Sequence, residues 1–146
     1  MKTVLVAFDG SDSAERALAR AADLTEAFRA TLVVTSVAVV PIPQSGMEAA
    51  LLATPAHLAA EAVDELALAE TQLERARALL ATRRIEVEFV PEVGAPAERI
   101  VELAETRQVD LIVVGTGEPG FLERLLQGSV SREVSRSTHR DVMIVH

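Results

Sequence analysis

Residues 109–120 read VDLIVVGTGEPG, an apolar run that ends in a glycine-rich turn. Short apolar runs bounded by glycine are typical of strands that are buried on both faces of a parallel sheet. A second such run, Thr3 to Phe8, stops at Asp9 and Gly10. Both stretches predict inner strands of an α/β fold.

Helical patterns alternate with strand patterns along the rest of the chain. Helix starts are indicated by capping residues at Ser11 to Ser13 and by Thr54 before Pro55. The predicted strands are 3–8, 32–38, 85–89, 110–114 and 142–145, and the predicted helices are 12–29, 54–80, 96–104 and 121–137. Such alternation requires right-handed crossovers. We therefore expect one Rossmann-like domain over residues 1–146, an open, five-stranded, mainly parallel sheet with helices on both faces.

Two strands are expected at sheet edges. Ile85, Val87 and Phe89 alternate with glutamates before Pro91, which predicts an edge strand with one exposed face. The last strand, DVMIV, is short and apolar, and an edge position would let it pair with another chain. A homodimer formed through this strand is predicted.

Composition narrows the function classes. The net charge of −8 disfavours nucleic acid as a partner. The chain has no cysteine, and its longest apolar run, Val37 to Ile42, is far too short to span a membrane. The N-terminus does not resemble a signal peptide, so a cytoplasmic location is expected. His57, His139 and His146 are far apart in sequence, and no metal site is predicted.

Ligands of such folds bind beyond the carboxyl ends of the strands, which directs attention to the glycine turn. Gly115 to Gly120 match G-x-G-x-x-G, but the strand that follows ends the chain without the acid that would hold a ribose, so a dinucleotide site is not expected. A P-loop is excluded because Lys2 is the only lysine. A glycine turn that joins strand to helix and binds no ligand remains an alternative. The charged face of the second predicted helix is interpreted as solvent-exposed.

Residues 109–145, VDLIVVGTGEPGFLERLLQGSVSREVSRSTHRDVMIV, resemble the universal stress protein family. The family signature is G-x2-G-x9-G-[ST] within a stretch like VVGSxGxGGLxRLLLGSVSxxV. The likeness also covers VLVAFDGSDSAERAL, LVVTSV and VGAPAERIVELAETRQ. It implies an adenine nucleotide alpha hydrolase-like fold, a cytoplasmic homodimer paired through the last strand, and a regulatory stress-response role. ATP, with magnesium, is the candidate ligand that the resemblance implies.

In family members that hold ATP, the glycine loop and the following Gly-Ser surround ribose and phosphates, while an acid and a valine flank the base. Matching positions here are Asp9, Val37, Gly115, Gly128 and Ser129. Hydroxyls or backbone room could be added by Thr116, Gly117 and Ser131.

Glu118 departs from the family signature, because the motif has glycine at this place. A carboxylate beside a polyphosphate is electrostatically unfavourable. An alternative is therefore a nucleotide-independent interaction protein, in which the dimer surface and the 41–56 loop carry the function. A slow ATPase with Asp9 as a metal or water ligand is a further alternative, and no catalytic residue is assigned.

Overall fold

The computed structural model describes residues 1–39, 54–116 and 130–146, and within them strands and helices alternate as predicted. In chain order these are β1 (Thr3–Ala7), α1 (Asp12–Phe28), β2 (Thr31–Ala38), α2 (Pro55–Leu80), β3 (Glu86–Val93), α3 (Pro96–Thr106), β4 (Leu111–Gly115), α4 (Val130–Ser137) and β5 (Asp141–Val145). The part of the fourth predicted helix before 130 lies outside the described residues.

The strands form one parallel sheet in the order β3-β2-β1-β4-β5. Val4 of β1 pairs with Leu32 of β2 on one side and with Leu111 of β4 on the other. The predicted fold class is confirmed. Because β1 and β4 are inner strands, their apolar runs meet helices on both faces, which is why these runs do not alternate with polar residues.

Two apolar layers cover the sheet. On one face, Val4 and Val6 pack with residues of α1 and α2, and on the other, Leu5 and Ile112 pack with residues of α3 and α4. Aliphatic side chains and alanines fill nearly all of both layers. Within the described residues, no helix is long and apolar enough to cross a bilayer.

Both predicted edge strands are confirmed, with one correction. β3 does not end before Pro91 but continues to Val93, and Pro91 is in register with Ser36 of β2. Proline removes a backbone donor, which an edge strand tolerates because one side of it is unpaired. On the opposite edge, Ile144 of β5 is 39% exposed.

The Asp110 carboxylate links the amino ends of β1 and β4 by hydrogen bonds. Asp110, predicted as the first residue of a strand, instead precedes β4. Its Oδ2 accepts hydrogen bonds from the backbone N–H groups of Lys2 at 2.6 Å and Thr3 at 2.9 Å. These two donors lower the pKa of the Asp110 carboxyl below its usual range.

Candidate functional site

The carboxyl ends of β1, β2 and β4 lie side by side, and residues that the sequence singles out follow or end these strands. Asp9 comes two positions after Ala7 ends β1, Val37 is the penultimate residue of β2, and Gly115 ends β4. The strand order reverses between β1 and β4, since β2 and β3 extend the sheet in one direction and β4 and β5 in the other. This switch point is where doubly wound sheets bind ligands.

The turn after β1 is organised by its own side chains. Asp9 Oδ1 accepts a hydrogen bond from the Ser11 N–H at 3.0 Å. Gly10 has φ +79°, a left-handed conformation that favours glycine. Ser11 is the N-cap of α1, and its Oγ accepts from the Ala14 N–H at 3.2 Å. Asp9 thus serves as a turn residue, and its contact with a ligand stays a prediction.

Gly115 packs closely against the first turn of α1. A Cβ at this position would come within 2.7 Å of the Ser13 carbonyl carbon and 2.8 Å of the Ser13 carbonyl oxygen. The sequence offers two reasons for this glycine, the approach of a ligand or a turn that binds none, whereas helix-on-strand packing already requires it. The next residue, Thr116, donates its N–H to the Val145 carbonyl at 3.0 Å and continues the alignment of β4 with β5.

An apolar corner lies on the α3 and α4 side of the same strand ends. Ala7 of β1, Val37 of β2 and Val130 at the start of α4 are partly buried and pack against the same apolar layer. Ser131, in the first turn of α4, is 5% exposed, and its carbonyl accepts from Ser135 Oγ at 2.8 Å. The structure thus brings the start of α4 to the layer that includes Val37.

The remaining predicted site residues, Gly117, Gly128 and Ser129, lie outside the described residues, as does Glu118. Their contacts with a ligand stay predictions. The structure gives the positions of the other predicted site residues, but their contacts with a ligand stay predictions too: Asp9, Val37, Gly115, Thr116 and Ser131.

A model of the universal stress protein family matches residues 1–146. The chain belongs to the universal stress protein family. Universal stress protein Rv1636 of Mycobacterium tuberculosis is 37% identical over 145 residues, which are 99% of this chain and 96% of that protein. Universal stress protein MJ0531 of Methanocaldococcus jannaschii is 32% identical over 147 residues, which are 99% of this chain and 81% of that protein.

Among solved structures, a universal stress protein in complex with cAMP is 31% identical to this chain. Its TM-score is 0.71, and the match covers 99% of this chain and 97% of that one. The family resemblance drawn from the sequence motifs is therefore confirmed over nearly the whole chain.

Two side chains of α2 also contact the turn after β1 in this universal stress protein, although no sequence motif points to them. Arg75 Nη1 donates to the Gly10 carbonyl at 3.1 Å, and Arg75 Nη2 contacts Glu15 Oε1 of α1. The Gln72 amide lies against Gly10, where it would collide with any Cβ. The one available signal was their place beside the buried residues Leu73 and Ala76, at the border of the apolar stripe.

Potential metal ligands do not cluster in the parts of this universal stress protein that the structure describes. Residues 1–39, 54–116 and 130–146 contain no group of three His, Asp or Glu side chains placed to hold a metal ion.

Proposed function

We propose that this universal stress protein is a cytoplasmic, homodimeric, single-domain regulatory module that binds an adenine nucleotide at the carboxyl ends of β1, β2 and β4. One observation carries the proposal: the protein solved with cAMP matches 99% of this chain at 31% identity. Asp9, Val37 and Gly115 support it, because they lie at the switch point of the sheet.

The described residues include the proposed contacts for the adenine base, whereas most of the proposed phosphate contacts lie outside them. Ala7, Val37 and Val130 offer apolar contacts for an adenine ring. Asp9 is oriented by its bond to the Ser11 N–H, which leaves a carboxylate at the same edge for a polar contact with the ligand. Backbone N–H groups near Gly117, Gly128 and Ser129 are the proposed phosphate contacts, with Thr116 and Ser131 beside them.

ATP with magnesium is the proposed physiological form of the ligand. Magnesium would then arrive with the phosphates, since it keeps much of its water and needs few protein ligands. The protein would contribute three features at the carboxyl edge of the sheet. These are apolar side chains for the base, the oriented Asp9 carboxylate, and glycines that let the backbone approach the phosphates. No catalytic residue is assigned, and the role is binding rather than turnover.

A second candidate is an interaction protein of the same family that works without a nucleotide. Glu118 favours it, because this residue stands where the family signature has glycine. In that case the β5 edge and the 41–56 segment would carry the function.

Titration calorimetry of the purified protein tests the proposal, with cAMP, AMP, ATP with magnesium, and GTP with magnesium as ligands. We expect adenine nucleotides to bind and GTP to bind at least about tenfold more weakly, a difference of about 1.4 kcal/mol. Val37→Asp should weaken binding by placing a charge against the base, whereas Val63→Asp, on the exposed face of α2, should not. Absence of heat and of thermal stabilisation with every adenine nucleotide would favour the second candidate.

A further inference from the structure

Two side chains of α2 hold the turn that carries Asp9. Arg75 reaches the Gly10 carbonyl with Nη1, at 3.1 Å, and Glu15 in the first turn of α1 with Nη2. Gln72, one helical turn earlier, covers Gly10 from the same helix. One guanidinium thereby joins the turn after β1, the start of α1 and the C-terminal part of α2.

The hydrogen bond from Arg75 restrains Gly10, a residue at which the backbone could otherwise change conformation. Gly10 has φ +79°, and glycine leaves the backbone free to adopt other conformations there. Arg75 restrains this residue through its carbonyl, and Gln72 restrains it sterically. The two neighbours of Gly10 are linked to each other, because Asp9 accepts a hydrogen bond from Ser11. Restraining Gly10 therefore orients the Asp9 carboxylate.

Global stability gains little from this arrangement. The side chains of Arg75 and Glu15 are 52% and 33% exposed, and ion pairs as exposed as this contribute little to folding. A preorganised turn instead reduces the ordering cost that a ligand must offset on binding. Arginine suits this task, because its planar fork can contact a carbonyl and a carboxylate at once.

We propose that Arg75, assisted by Gln72, is a positioning residue for the nucleotide site: it holds the Asp9-Gly10-Ser11 turn in the conformation that presents Asp9 to the ligand. This inference rests on the proposed nucleotide function. Arg75 itself need not touch the nucleotide.

Arg75→Gln is the test variant and Arg77→Gln its matched control. Arg77 lies on the same helix, contacts Glu74, and places its guanidinium 4.2 Å from the centre of the Phe89 ring. Hydrogen exchange of the ligand-free protein should show faster exchange of the Ser11 and Ala14 amides in Arg75→Gln and unchanged exchange in Arg77→Gln. Equal exchange in all three proteins would overturn the role assigned to Arg75.

Titration with cAMP and with ATP plus magnesium then measures the consequence for binding. We expect Arg75→Gln to weaken binding by about tenfold, Arg77→Gln by less than about twofold, and Arg75→Lys to recover part of the loss, with thermal midpoints nearly unchanged. Equal affinities of the wild-type protein and Arg75→Gln would overturn the inference and leave the proposed function standing.

A double variant separates positioning from a general structural effect. If Arg75 acts through Asp9, Arg75→Gln should cause little further loss in an Asp9→Ala background. Additive losses would contradict the proposal. Should the wild-type protein bind neither nucleotide, the proposed function fails and the inference about binding fails with it, while hydrogen exchange still reports whether Arg75 orders the turn.

Discussion

The main chain of Ser13 occupies the space that a side chain at Gly115 would need. An added Cβ would approach the Ser13 carbonyl carbon to 2.7 Å, closer than side-chain carbons come to backbone atoms in proteins. The end of β4 and the start of α1 are therefore in direct backbone contact. This contact sets the position of the α1 N-terminus beside the candidate nucleotide site.

Gly115→Ala should destabilise the fold by about 1–3 kcal/mol, as is usual when a methyl group is forced into a packed site. Urea unfolding followed by circular dichroism measures the change. Because the clash involves the carbonyl of Ser13 and not only its hydroxyl, adding Ser13→Ala should not restore stability. Full rescue by that second substitution would show that the hydroxyl alone is responsible.

Asp110→Asn should reduce stability in a pH-dependent way. The folded protein holds the pKa of Asp110 below its usual range through the N–H groups of Lys2 and Thr3. The unfolded value is about 3.9, so the stabilisation is complete above about pH 5 and is lost as pH falls through the lowered folded pKa.

The free energies of unfolding of the wild-type protein and Asp110→Asn, measured in urea, should accordingly differ at pH 7 and converge towards pH 3. The difference at pH 7 should be below about 1 kcal/mol because solvent screens an exposed carboxylate. Asp64→Asn, at an exposed position on α2, is the control and should show no such convergence. A constant difference between pH 7 and pH 3 would contradict this account.

Ile144→Lys should convert the proposed homodimer to a monomer. Ile144 is 39% exposed on β5, and a lysine on an edge strand opposes pairing with another chain. Val93→Lys is the matched control, since Val93 is 42% exposed on the opposite edge strand, β3. Analytical ultracentrifugation should give a dimer for the wild-type protein and Val93→Lys and a monomer for Ile144→Lys. A wild-type monomer would refute the proposed homodimer.

Local patterns were sufficient to predict the sheet. The apolar runs around Leu5 and Ile112 identify inner strands, and the alternation before Pro91 identifies an edge. Once the strand order is known, parallel strands bring Asp9 and Gly115 to one edge without further information.

Local sequence patterns do not predict contacts between elements that are distant in the chain. Arg75 lies 65 residues from Gly10, and helical periodicity shows only that Arg75 borders the apolar face, not which loop it reaches. The sequence also does not show where β3 ends, because proline ends a strand only where its missing N–H would face a partner strand. The family motif identifies Gly115 as a candidate ligand contact, which stays a prediction, whereas its contact with Ser13 depends on packing that no motif records.

Glu118→Gly should raise the affinity for ATP more than the affinity for cAMP. Glu118 stands at the place of a family glycine, and its carboxylate would repel a triphosphate more strongly than the single charge of a cyclic monophosphate. We expect ATP binding to strengthen by about tenfold or more and cAMP binding by less than about threefold, as measured by calorimetry.

Glu118→Gln separates charge from bulk, since it removes the charge and keeps a side chain of the same length. If repulsion dominates, Glu118→Gln should recover most of the gain, and raising the salt concentration should reduce the difference between the wild-type protein and this variant. Recovery only in Glu118→Gly would show instead that the backbone needs the space. Glu133→Gln, at an exposed position on α4, is the control and should leave both affinities unchanged. Equal ATP affinity in the wild-type protein and Glu118→Gly would remove Glu118 as an obstacle to binding, and with it the main reason for an interaction role without a nucleotide.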